Sequence, residues 1–140
     1  MAKSKQTILF ICQGNNARSL MAEGLVNHLF KDRYEAFSAG TQPSKVDPLA
    51  VKVMKEIGID ITKARSKNVD TYYGKPFDYV VTLCDEAEEE CSFFIQGKDY
   101  IHESFPDPTK LEGSEEKVIS DYRKVRDGIR AFVKETFGGR

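Results

Sequence analysis

Residues Thr7–Ser19, Thr-Ile-Leu-Phe-Ile-Cys-Gln-Gly-Asn-Asn-Ala-Arg-Ser, leave this chain few folds to choose from. Thr7 to Ile11 is a continuous β-branched and aromatic run, which fits a strand buried on both faces. The polar, small-residue loop after Cys12 ends that strand. A helical pattern then starts near Arg18, with Met21, Leu25 and Leu29 spaced on one face. The loop therefore lies at a helix N-terminus, where unpaired N–H groups and the helix dipole favour an anion and Gly14 lets the backbone curl. Gln13, Gly14, Asn15, Asn16, Ala17, Arg18 and Ser19 make up this predicted oxyanion cradle. Arg18 offers a forked guanidinium for two oxyanion oxygens, and Cys12 faces the same pocket as a thiolate nucleophile.

The rest of the chain repeats the alternation. Glu35–Ala39 reads as a second strand ending at Gly40. Asp47 is a good N-cap with Pro48 at the first helical position, and Ala50, Val53, Met54 and Ile57 form the buried face of a helix closed by Gly58. Ser66–Tyr73 reads as a short helix. Asp78–Leu83 is a third buried strand running into Cys84, and Tyr100–Ile101 a short fourth. A last helix spans about Ser114–Phe137, with Val118, Tyr122, Val125, Ile129 and Phe132 at helical spacing.

Strands alternating with helices imply an α/β fold in which a parallel sheet is covered on both faces, and such sheets bind ligands beyond the carboxyl ends of their strands. Cys12 and Cys84 both fall at that end. So does Asp107, held between Pro106 and Pro108 on a stiff loop, where its carboxyl is placed to act as general acid for a departing oxygen.

With 140 residues and no shift in composition, the chain is expected to form one domain over residues 1–140. A net charge of −1 gives no bulk attraction for nucleic acid. The apolar run near the N-terminus is too short for a signal peptide or membrane span, so a cytoplasmic location is expected. In that reducing compartment the three cysteines read as reactive thiols, not as a disulfide framework.

Taken together, Cys12 to Ser19, Met21-Ala22-Glu23-Gly24, Phe37-Ser38-Ala39-Gly40 and Asp107-Pro108 resemble the low-molecular-weight tyrosine phosphatase superfamily. Val80-Val81-Thr82-Leu83-Cys84, with a further cysteine at Cys91, is similar to its arsenate reductase branch. The resemblance implies a three-layer α/β fold with a four-stranded parallel sheet flanked by helices. It also implies reduction of arsenate, with phosphate or sulfate as competing oxyanions, through a relay of Cys12, Cys84 and Cys91. Thioredoxin is the implied reductant, and the chain is expected to act as a monomer without a cofactor. The alternative is a phosphatase that hydrolyses phosphomonoesters through a Cys12 phosphocysteine, for which Cys84 and Cys91 are not needed.

Some members of this branch bind potassium through residues corresponding to Asn15, Glu23, Ser38 and an aspartate. Here Lys67 falls near that aspartate's position, where its ammonium is expected to replace the cation, so no metal is assigned. Ala17 stands where many relatives carry a cysteine, which excludes a disulfide within the loop.

Cys84 and Cys91 are seven residues apart. On a continuous helix their Cα atoms would be roughly 10 Å apart, whereas a disulfide needs about 7 Å or less. The segment 84–91, which carries the acidic run Asp85–Glu90, is therefore expected to loop out or unwind on oxidation.

Overall fold

The computed structural model describes residues 5–42, 44–84, 97–110 and 112–138. The acidic run, Cys91 and the predicted loop-out of 84–91 lie outside the described residues, apart from Cys84 itself. The described chain forms β1 (Gln6–Cys12), α1 (Arg18–Leu29), β2 (Tyr34–Gly40), α2 (Pro48–Glu56), β3 (Phe77–Thr82), β4 (Gly97–His102) and α3 (Glu115–Phe137). The strands make one parallel sheet in the order β2-β1-β3-β4.

β1 is central because its sequence allows nothing else. Ile8 to Cys12 are all fully buried. Successive strand residues point to opposite faces, so burial of five in a row means that both faces are covered. On one face the Phe137 ring at the end of α3 meets Phe10, Tyr34 and Tyr79 edge-on, with centroids 5.3–6.3 Å apart. Tyr72 packs similarly with Phe37 and Phe77.

Two of the helices, α2 and α3, start at capping residues. The Asp47 side chain accepts the Leu49 N–H, with Pro48 at N1, and Ser114 accepts the Lys117 N–H at the start of α3. Gly58 takes φ +81 just past α2, the left-handed conformation that favours glycine there.

Three local expectations change. β1 extends through Cys12, which pairs with Gly40 of β2. The short helix expected over Ser66–Tyr73 is a single 3-10 turn, Val69–Tyr72. β4 is six residues long, not two, because it is an edge strand whose Lys98, Asp99 and Tyr100 are exposed and leave no hydrophobic pattern to read.

Candidate active site

The loop between β1 and α1 is held open from outside. Three of its carbonyls are taken up by neighbouring segments: Gln13 O accepts the Gln42 N–H at 2.8 Å, Gly14 O the Ser44 N–H at 2.9 Å, and Asn16 O the Asp47 N–H at 2.9 Å. The Ser66 hydroxyl also donates to Gly14 O, at 3.1 Å. With these three carbonyls turned outward, the loop has N–H groups to present to an anion. Close packing at Gly40 makes this possible. A Cβ there would lie 2.6 Å from Gln13 O and 2.9 Å from the Asn15 backbone nitrogen.

Asp47 connects this clamp to α3. Besides capping α2, its carboxylate accepts the Tyr122 hydroxyl. Burial, then the Asp47 bond and charge, and lastly the charge of Asp107 push the Tyr122 phenol up from its ordinary value near 10.

A chain of directed hydrogen bonds runs to the Cys12 sulfur. The Lys67 backbone N–H, which can only donate, reaches Asn15 Oδ1 at 2.6 Å. That fixes the amide, so Asn15 Nδ2 donates to Ser19 Oγ at 2.7 Å. Ser19 lies 2.9 Å from the Cys12 sulfur, and with its oxygen already accepting, its proton is free for the sulfur. This polarity suits a thiolate acceptor. Asn15 adopts φ +45 to complete the chain, a region that asparagine tolerates better than most residues.

Asp107 and Arg18 face one another on the rim. Arg18 donates to Phe105 O at 3.0 Å and lies 3.6 Å from Asp107 Oδ2. The other carboxylate oxygen, Oδ1, accepts the Thr109 N–H at 3.0 Å and the Thr109 hydroxyl at 2.6 Å. Oδ2 is thus the oxygen turned toward the arginine. A cavity of about 220 Å³ is lined by Gln13, Arg18, Cys84, Ser104, Phe105, Asp107 and Lys110. Cys84 follows closely on β3, where the Leu83 N–H donates to Ile11 O and continues the pairing with β1 to the carboxyl end of the sheet.

The structure thus brings Arg18, Asp107 and Cys84 to one cavity, with the cradle loop beside it. Cys12 differs from expectation: it is fully buried and does not line that cavity. It ends β1, paired with Gly40 of β2, and its sulfur lies against the Ser19 hydroxyl. Asn15, Glu23, Ser38 and Lys67 also adjoin. Ser38 donates to Glu23 Oε1 at 3.0 Å, and Lys67 Nζ lies 3.5 Å from Ser38 Oγ and 2.7 Å from Arg65 O. Burial pushes the Glu23 carboxyl up, against the opposing pull of Lys67 and the Ser38 hydrogen bonds. Ser104 and Lys110 enter the cavity, and Gln42 and Ser44 the clamp, with no signal in the motif, because only tertiary folding brings them there.

A parallel α/β sheet with an oxyanion loop, a buried cysteine and an Asp-Pro rim at its carboxyl end defines a class of cysteine-dependent enzymes that handle tetrahedral oxyanions. The model of the low molecular weight phosphotyrosine protein phosphatase family matches residues 7–137, and the chain belongs to that family. An arsenate reductase of Halalkalibacterium halodurans is 41% identical over 131 residues, covering 94% of each chain. The crystal structure of an arsenate reductase from Archaeoglobus fulgidus aligns with a TM-score of 0.76 and 30% identity over 94% of this chain and 98% of that one. A thioredoxin-dependent arsenate reductase of Corynebacterium glutamicum aligns with a TM-score of 0.66 and 25% identity, over all of this chain and 66% of that one.

Proposed function

We propose that this chain reduces arsenate to arsenite by passing two electrons through Cys12, Cys84 and Cys91, with thioredoxin restoring the thiols. The observation that carries the reading is Cys84: a second thiol, 72 residues from Cys12 in sequence, lines the same cavity as Arg18 and Asp107. A phosphatase has no use for it, and the similar proteins named above are arsenate reductases.

Arsenate binds on the loop N–H groups and Arg18. The Cys12 thiolate attacks arsenic(V), and Asp107 protonates the departing hydroxyl, which leaves as water. The Cys84 thiolate then attacks the Cys12 sulfur. The electron pair of the sulfur–arsenic bond passes to arsenic, releasing arsenite and leaving a Cys12–Cys84 disulfide. Cys91 attacks the Cys84 sulfur, freeing the Cys12 thiolate, and thioredoxin reduces the resulting Cys84–Cys91 bond.

Asn15, Glu23 and Ser38 resemble a monovalent-cation site, but the Lys67 ammonium beside Ser38 takes the cation's place. The reaction is therefore independent of potassium. No helix among the described residues is long and apolar enough to cross a membrane. A monomer working in the reducing cytoplasm suits thiol recycling. Peptide mapping of arsenate-treated protein tests the reading: a Cys84–Cys91 disulfide is expected, and fully reduced thiols after arsenate exposure would contradict it.

A further inference from the structure

Among the residues that line the catalytic cavity, Arg18 and Lys110 are cations and Asp107 is an anion. Arg18 and Asp107 lie 3.6 Å apart, and Arg18 also donates to Phe105 O. Beyond a few ångströms their opposite charges largely cancel. Lys110 is different: its exposed ammonium has no ion pair or hydrogen bond among the described residues.

The backbone of Lys110 is nevertheless fixed relative to the rim. Its N–H donates to Asp107 O at 3.2 Å, closing the 3-10 turn Pro108–Lys110, whose Pro108 is buried. The turn anchors the base of the lysine beside the general acid, and its four-carbon stem is long enough to bring its charge over the cavity that the residue lines.

Resting on the oxyanion reading above, we propose that Lys110 is a specificity-determining residue, the cation that captures doubly charged inorganic oxyanions at the cavity mouth before the loop and Arg18 bind them. A dianion approaching the Arg18–Asp107 pair meets little net field, and Lys110 supplies the uncompensated positive charge. Because the ammonium is exposed, its pull is screened by salt. Its contribution belongs to capture and leaves the chemical step alone.

Inorganic phosphate is the probe, since its binding reads Lys110 even if no arsenate is turned over; the two readings thus fail separately. Lys110→Met is expected to bind phosphate about three- to tenfold more weakly than wild type at low ionic strength. The difference shrinks to under about twofold near 0.5 M salt. Lys110→Arg keeps wild-type affinity, as does Lys31→Met, which removes the same charge at the opposite end of the sheet. In arsenate turnover Lys110→Met raises KM by a similar factor and leaves kcat within about twofold. Wild-type phosphate affinity in Lys110→Met, an equal loss in Lys31→Met, or a loss insensitive to salt would each overturn the proposal.

Discussion

Asn15 Oδ1 accepts the backbone N–H of Lys67 at 2.6 Å, and through that one bond a loop 52 residues away sets the direction of every hydrogen bond leading to the Cys12 sulfur. Asn15→Asp keeps the acceptor and loses the donor to Ser19, while bringing a negative charge toward the thiolate. It is expected to retain most of its folding stability and to lose at least about tenfold in kcat/KM. Asn15→Ala loses both bonds and strains the positive φ, which costs about 2 kcal/mol of stability as well. Urea denaturation and arsenate turnover on both variants separate the two effects.

Asp107→Asn keeps the shape of the rim but has no proton to give. Its kcat is expected to fall about 10²- to 10³-fold. Phosphate affinity is retained or improved, because the carboxylate opposing Arg18 is gone. Turnover within about twofold of wild type would remove Asp107 from the chemistry.

Glu23 carries a pH signature of definite sign. Burial raises its folded value above the ordinary 4.5 despite Lys67, so the folded state binds this proton more tightly than the unfolded state does. The resulting stability is fully present below pH 4.5 and is lost as pH rises through the raised value. Glu56, held at about 2 chiefly by its Arg123 hydrogen bond, has the opposite dependence, and its contribution falls away as pH drops toward that value. Thermal melts from pH 4 to 7 are expected to show a decline in wild type, relative to Glu23→Gln, that begins above pH 4.5. Parallel curves for the two proteins would contradict this.

Exchange of potassium for sodium is expected to leave arsenate turnover unchanged, because the Lys67 ammonium stands beside Ser38 and Glu23. Strong activation by potassium would show that the lysine does not replace the ion.

Gly40→Ala tests the clamp around the cradle. The added methyl group meets Gln13 O and Asn15, so strand β2 or the loop has to shift. The expected cost is about 1–3 kcal/mol in stability, together with weaker phosphate binding. Calorimetry and phosphate titration on the same variant measure both.

The cradle could be read from sequence because its parts are consecutive: Thr7–Ile11 fixes a buried strand, Cys12–Ala17 cannot continue it, and Arg18 begins a helix. Asp47-Pro48 was equally plain as a helix start. What was not legible depends on partners far along the chain. Nothing near Gln13 or Asn16 announces that Gln42 and Asp47 will take their carbonyls, or that Lys67 will orient Asn15. β4 is longer than its apolar residues signal because an exposed edge strand needs no apolar alternation. The burial of Cys12 accompanies its pairing with Gly40 and its contact with Ser19, which residue type does not signal. Lys110 reads as an ordinary surface lysine until the turn after Asp107 sets it at the cavity.

The most direct test of the relay is the amount of arsenite released per chain by wild type, Cys12→Ser, Cys84→Ser and Cys91→Ser, with and without thioredoxin. Wild type should release arsenite continuously when thioredoxin is present. Cys91→Ser should stop after about one equivalent with a Cys12–Cys84 disulfide, and Cys84→Ser and Cys12→Ser should release none. Continuous, wild-type release by Cys84→Ser or Cys91→Ser would contradict the three-thiol account.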